Sequence, residues 1–167
     1  MQTFILSPIT AKDFRDYGTV LDPGLAGPRL NFTADMSNPR DAARANLALI
    51  RAPHATLPWT LDRLERHPYS TQSFLPLGET SYLVVVALSG ENGTPDLNTV
   101  AAFSVPSGVG IAYNPTTWHA GMSFLGGPGH FAMLIYESGT NDDCVYEAIT
   151  PVQIVAPAHQ LSLSKGI

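Results

Sequence analysis

Tyr82-Leu83-Val84-Val85-Val86-Ala87-Leu88 is the longest apolar run in the chain. Three successive valines favour a strand, because β-branched side chains pack well on a pleated surface. The run has no polar face, so the strand is expected to be buried on both sides. Ser89-Gly90-Glu91-Asn92-Gly93 follows it as a turn.

The same pattern spreads outward in both directions. Short strand candidates precede the run at Leu47 to Arg51, Trp59 to Arg66 and Gln72 to Leu75. Others follow at Val100 to Val105, Val109 to Tyr113, Phe131 to Tyr136 and Val145 to Ile149. Turns at Pro106-Ser-Gly108 and Gly126-Gly-Pro-Gly129 separate them, and 14 glycines and 14 prolines punctuate the whole chain. About eight strands without alternating helices indicate an all-β sandwich or barrel. One helix is expected where Thr10 can cap Ala11 to Tyr17, with Gly18 as its stop. A second short helix is expected within Pro39 to Ala45. The 167 residues fit a single domain, with 151–167, which holds Pro151 and Pro157, read as a loose C-terminal arm.

Composition excludes several function classes. Nine basic residues are scattered along a chain of net charge −5, so no basic footprint exists for nucleic acid. The longest apolar run is far short of the roughly 20 residues that span a bilayer. The N-terminus lacks a basic region before its apolar stretch and does not read as a signal peptide. Cys144 is the only cysteine, which rules out an intrachain disulfide and suits a reducing, cytoplasmic setting. It follows Asn141-Asp142-Asp143, whose charge is expected to raise the thiol pKa, so it reads as an apolar filler. Charged residues are only 14% of the chain, against about 25% in ordinary proteins. Either a partner covers some of the surface, or the surface is rich in neutral polar residues.

Two stretches concentrate chemistry. In Leu64-Glu65-Arg66-His67-Pro68, period-2 geometry puts Glu65 and His67 on one face and Arg66 on the other. Gln72 and Phe74 likewise share a face, and a break at Pro68 would let His67 and Gln72 converge. The alternative is a solvated strand end. In Gly110-Ile-Ala-Tyr113-Asn-Pro115-Thr-Thr-Trp118-His119, a histidine beside a tryptophan suits a pocket wall. The alternative is a histidine held in the core by backbone bonds.

Together the two stretches have the rhythm of the cupin superfamily, with Glu65 in the place of the first motif histidine and Gln72 in the place of the glutamate. Glu65, His67 and His119 are the donors for a divalent metal, if one binds. Gln72 is a poor ligand, so no metal is required by this reading. The ordered set Leu64-Glu-Arg-His67-Pro68, Gln72-x-Phe74-x-Pro76-Leu77, Tyr82 to Ala87, Pro95-Asp96-Leu97, Gly110, Tyr113, Trp118-His119 and Asn141-Asp142-Asp143-Cys144-x-x-Glu147 resembles the ureidoglycolate lyase family. The resemblance covers roughly Met1 to Thr150, with departures around Arg29 and across Met36 to Asn46.

The resemblance implies a cupin-like β-barrel (jelly roll) in a cytoplasmic homodimer. It implies cleavage of (S)-ureidoglycolate to glyoxylate and urea in purine and allantoin catabolism, with a small-molecule substrate and no redox cofactor. On this reading His67, His119 and Glu65 are catalytic. Gln72 and Tyr113 bond the urea and carbonyl oxygens, Arg66 or Arg29 holds the carboxylate, and Trp118 and Phe74 exclude water. His54, His130 and His159 have no assigned role. Two rivals share the barrel: a metal-dependent hydrolase or dioxygenase, and a cupin that binds a small acid without turnover.

Overall fold

A computed structural model of the chain describes residues 1–25 and 28–158. In chain order the strands are β1 (Gln2–Ile5), β2 (Ser7–Pro8), β3 (Gly18–Leu21), β4 (Arg44–Ala52), β5 (Trp59–Arg66), β6 (Gln72–Pro76), β7 (Tyr82–Ala87), β8 (Ala101–Val105), β9 (Gly110–Tyr113), β10 (Trp118–His119), β11 (Ser123–Phe124), β12 (Gly129–Glu137) and β13 (Val145–Val155). They form two sheets. Sheet A runs β1-β13-β5-β10-β7-β8-β2, with β11 also on β7; sheet B runs β3-β9-β6-β12-β4. Short connections at the ends of β5 and β9 carry the chain from one sheet to the other. The result is a nearly closed, all-β barrel.

β7 lies inside sheet A, and all six of its residues are buried. Tyr82, Val84 and Val86 face the core shared with sheet B, among Phe74, Phe103, Ile111 and Phe131. Leu83, Val85 and Ala87 face a second cluster with Leu64, Trp118, Val152 and Ile154. The expectation of burial on both faces holds. Each fully buried valine contributes roughly 1.5–3 kcal/mol relative to an exposed one.

The first helix, α1, spans Ala11–Phe14, and Thr10 accepts the Asp13 N–H at 3.1 Å as its cap. It stops earlier than the sequence pattern implied. Its purpose is to bury Phe14, which packs edge-on against Phe103 at 5.8 Å. β3 then begins at Gly18, where a Cβ would collide with the Ala112 carbonyl, so only glycine fits this approach.

Two expectations fail. Pro39 to Ala45 forms no helix: a single turn closes from Ala43 N–H to the Arg40 carbonyl, and Arg44 already belongs to β4. Pairing of β4 with β12 over nine residues outweighs the local helical preference. Residues 151–155 are not a loose arm. They complete β13, pairing with β5 and in parallel with β1, and Val152 and Ile154 are buried. Pro151 fits because the register shifts between Ala148 and Val152 and relieves its missing N–H. The last part of the expected arm, from residue 159 on, lies outside the described residues, as does His159.

Candidate active site

β5 and β10 are neighbours, and His119 stands directly opposite Glu65 in their register. His67 follows Glu65 by two residues, just past the end of β5. Donor atoms of Glu65, His67 and His119 all lie within 4.8 Å of one another. The imidazoles of His67 and His119 stack, with centroids 5.5 Å apart. Both are buried, at 8% and 1% exposure, so the solvated-strand alternative is excluded for His67.

Backbone carbonyls set the tautomer of each ring. His67 Nδ1 lies 2.8 Å from the Asp143 carbonyl, and His119 Nδ1 lies 2.9 Å from the Thr117 carbonyl. A carbonyl can only accept, so in the neutral ring each Nδ1 carries the hydrogen and each Nε2 keeps its lone pair. Among the described residues, both Nε2 atoms are buried without a hydrogen-bond partner. Nε2 of His119 is 3.6 Å from Oε1 of Glu65, too long for a good hydrogen bond. Burial, and then the neighbouring His67, push the His119 pKa down to about 3, so this contact is not an ion pair at neutral pH.

Sheet B supplies the opposite wall. The turn from Pro68 to Thr71 swings the chain across, and Gln72 opens β6 on its inner face. Gln72 pairs with Tyr113 of β9 in the register. The Tyr113 ring lies flat on His119, with centroids 4.1 Å apart and planes at 16°. Burial raises the Tyr113 pKa well above its usual value, so its hydroxyl stays protonated. The Gln72 amide nitrogen donates to Met133 Sδ at 3.2 Å, while its Oε1 is buried and unpartnered. Phe74 packs edge-on against Tyr113 and Phe131 and seals the floor. Contacts and strand pairing therefore gather Glu65, His67, His119, Gln72, Tyr113 and Phe74 into one cluster between the sheets.

Three expected members stand elsewhere. Arg66 points to the other face of β5, as its parity requires. Its guanidinium lies 4.7 Å over the Trp118 ring and donates to Ser89 Oγ at 3.1 Å. Trp118 precedes His119 on a strand, so it faces away from it into the second core cluster. Arg29 is exposed and donates to Asn31 Oδ1; it borders a depression with Leu21, Pro23 and Leu75. Leu75 has the opposite parity to Gln72 and Phe74, so Arg29 lies over the outer face of sheet B.

Sequence reasoning missed Met133, Met122, Arg63 and Tyr146. Met122 Sδ is 3.5 Å from the Tyr113 hydroxyl. A groove of about 410 Å³ reaches Glu65 and Met122, with Arg63 and Tyr146 on its walls. The Arg63 guanidinium lies 5.2 Å over the Tyr146 ring. Period 2 from Glu65 marks Arg63, but methionines give no sequence signal of a pocket. A larger groove of about 650 Å³, lined by Leu6, His54, Leu57 and Val105, contains none of the clustered residues. Cys144 sits half-buried with its Sγ 3.9 Å from Glu65 Oε2. Its pKa is raised, the expected direction, but by burial first and then by Glu65 and Glu137 rather than by Asp142 and Asp143.

A sequence profile described as ureidoglycolate lyase matches residues 1–156. The chain belongs to the ureidoglycolate lyase family. It is 32% identical to a putative ureidoglycolate lyase of Agrobacterium fabrum, over 92% of this chain and 96% of that one. The ureidoglycolate lyase of Saccharomyces cerevisiae is 34% identical, over 88% and 94% of the two chains. That of Rhodobacter capsulatus is 32% identical, over 80% and 86%. The barrel is the cupin fold of this family, and every clustered residue lies within the matched span.

The donor chemistry of the cluster suits a divalent cation. Two imidazole lone pairs and a carboxylate converge, and the Nδ1 bonds to backbone carbonyls fix the rings as ligating histidines are usually fixed. The unpartnered Gln72 Oε1 is a neutral oxygen donor on the facing wall.

Proposed function

We propose that the chain is a carbon–nitrogen lyase that cleaves ureidoglycolate to glyoxylate and urea, acting as a cytoplasmic homodimer. The observation that carries this reading is the convergence of His67, His119 and Glu65 within 4.8 Å, with both Nε2 lone pairs free to act. The substrate carbon bears a hydroxyl, a carboxylate and a ureido nitrogen. Removing the hydroxyl proton forms the carbonyl of glyoxylate. The carbon–nitrogen bond then breaks, and the nitrogen leaves as urea once protonated. Net, one proton moves from oxygen to nitrogen, and no other reactant is consumed.

Family membership and the site chemistry support this assignment of roles. His67, the less buried imidazole, takes the hydroxyl proton at Nε2. His67 hands that proton to Glu65, which lies between the two histidines and the groove and delivers it to the leaving nitrogen, so both groups end as they began. His119 is kept neutral by burial and offers its lone pair without storing a proton. Tyr113, a hydroxyl donor at every working pH, and Gln72 hold the carbonyl oxygens of the substrate. Phe74, Met122 and Met133 keep water from the reacting carbon.

Glu65, His67 and His119 would hold a divalent cation, with Gln72 beside them. Bound there, a cation would polarise a substrate oxygen as a Lewis acid. The test is product release from racemic ureidoglycolate, with and without a chelator. Equal urea and glyoxylate without ammonia supports the lyase. Activity abolished by chelator and restored by one added cation supports the metal-assisted form. Ammonia in place of urea means hydrolysis of the amide instead. Binding without any product means a small-acid-binding cupin.

A further inference from the structure

Thr116 is the one non-glycine residue with positive φ among the described residues, at +69°. It is β-branched, and such side chains rarely adopt the left-handed region, because Cβ crowds the following carbonyl. The residue is exposed, so burial of its side chain does not offset the strain.

Thr116 sits in the turn that carries the chain from β9 in sheet B to β10 in sheet A. Both ends of the turn are anchored. The Asn114 N–H and the Thr117 hydroxyl both donate to the Tyr17 carbonyl at 2.9 Å, and the Thr117 N–H closes the turn on the Asn114 carbonyl at 3.2 Å. Pro115 and Thr116 are therefore its central residues. Proline holds the first at a φ of about −65°, and the second has positive φ, so the turn has the type II form. That form ordinarily takes glycine or asparagine where Thr116 stands, and Pro-Thr suits the type I form better. The two forms differ by roughly 150° in ψ at the first central residue and roughly 170° in φ at the second, which is a flip of the peptide between them. Such a flip leaves the anchored ends in place.

The direction of that peptide decides a contact to the site. In the form present, the Thr116 N–H donates to the His67 carbonyl at 3.1 Å. In the type I form it would point away, and a carbonyl of a buried residue would lose this partner. The next residue holds the second imidazole, since the Thr117 carbonyl accepts from His119 Nδ1. From outside, Ser89 Oγ donates to the Thr116 carbonyl at 3.1 Å and accepts from Arg66. We infer that Thr116 is a positioning residue for the reaction proposed above, on whose roles for His67 and His119 the inference rests. Its left-handed backbone persists because it aims one N–H at His67, so a single turn sets both imidazoles. The amide hydrogen is the working part, not the side chain.

The test compares two variants with wild type. Thr116→Pro deletes the N–H and forces negative φ. Folded by circular dichroism, it is expected to lose about tenfold or more in kcat for ureidoglycolate, with KM within about threefold. Its imidazole nitrogen-15 spectrum is expected to show His67 as a mixture of tautomers, where wild type shows the Nδ1–H form alone. Thr116→Gly keeps the N–H and accepts the left-handed backbone without strain. It is expected to melt no lower than wild type and to restore the kcat lost in Thr116→Pro. Wild type supplies a further reading that needs no variant. The Thr116 amide is expected to exchange with deuterium roughly tenfold or more slower than an unprotected amide, although its residue is exposed. Exchange at the unprotected rate overturns the inference whether or not Thr116→Pro folds. So does wild-type kcat in folded Thr116→Pro, or an equal loss in Thr116→Gly, which would make the side chain the working part. Wild-type turnover by His67→Ala would instead overturn the role of His67 and with it the positioning role, while exchange and nitrogen-15 spectra would still show whether the turn holds the ring.

Discussion

Glu65 and His119 are direct cross-strand partners, and the carboxylate faces a lone pair on Nε2 across 3.6 Å. Close pairing of these two acceptor groups, with the histidine buried, is explained if a proton or a cation passes between them. Glu65→Gln keeps the size of the side chain and removes its capacity to give and take a proton. The expected outcome is an unchanged fold and a fall in kcat of about 10²-fold or more. Glyoxylate release by the variant within twofold of wild type would remove Glu65 from the mechanism.

The pocket depends on a turn that holds His67 from outside. Asp143, whose carbonyl accepts from His67 Nδ1, has its carboxylate bound by Arg40 at 2.6 Å and by the N–H groups of Ser138, Gly139 and Thr140. Burial raises the Asp143 pKa, but these bonds outweigh it and hold the group well below its usual 3.8. A depressed folded-state pKa stabilises the protein above the unfolded value, and that contribution is lost as pH falls through the folded value. Below about pH 4, wild type should therefore lose stability progressively, and Arg40→Ala should lose less from this source because it starts with less. Arg40→Ala should also cost about 3 kcal/mol at pH 7, because it leaves a poorly solvated carboxylate. Urea melts from pH 7 to pH 3 measure both effects. Parallel pH profiles for the two proteins would contradict this account.

Arg66 and Trp118 form a structural pair on the far side of β5 and β10. The guanidinium lies over the indole and ties down the loop at Ser89, and the Trp118 Nε1–H donates to the Gly93 carbonyl at 3.3 Å. Arg66→Met should keep the apolar stem and lose the cation–π and hydrogen bonds. A loss of roughly 1–2 kcal/mol in stability is expected. KM for ureidoglycolate should stay within about twofold, because the residue does not reach the pocket. A tenfold rise in KM with unchanged stability would restore Arg66 as the carboxylate ligand.

How much of this was legible depended on period and contact order. β5 was readable to the residue from Trp59 to Arg66, and β7 nearly so, because apolar character and turn residues bound them clearly. β1, β2 and β10 were not: Gln2–Ile5, Ser7–Pro8 and Trp118–His119 are too short to show a period, and only distant partners make them strands. Parity alone separated Arg66 from Glu65 and His67, and the same rule on β10 would have separated Trp118 from His119. Arg29 could not be placed by any local rule, since it lies in an irregular segment that crosses a sheet. Met122 and Met133 were invisible because a methionine in a pocket and one in a core carry the same local signal.

Gln72 stands where cupin chemistry usually has a carboxylate, and its Oε1 is buried without a partner. A neutral amide oxygen attracts a dication more weakly than a charged one. Gln72→Glu adds a negative charge to a wall that faces two imidazole lone pairs and Glu65, and deprives Met133 of its amide donor at little cost. If the cluster is a cation site, Mn²⁺ or Ni²⁺ should bind the variant at least tenfold more tightly than wild type, about 1.4 kcal/mol by titration calorimetry. His119→Ala in the same background should abolish the gain, because it removes a lone pair within 4.8 Å of the other donors. Equal affinities for Gln72→Glu and wild type would mean that no ion sits against β6, and that His67, His119 and Glu65 work by proton transfer alone.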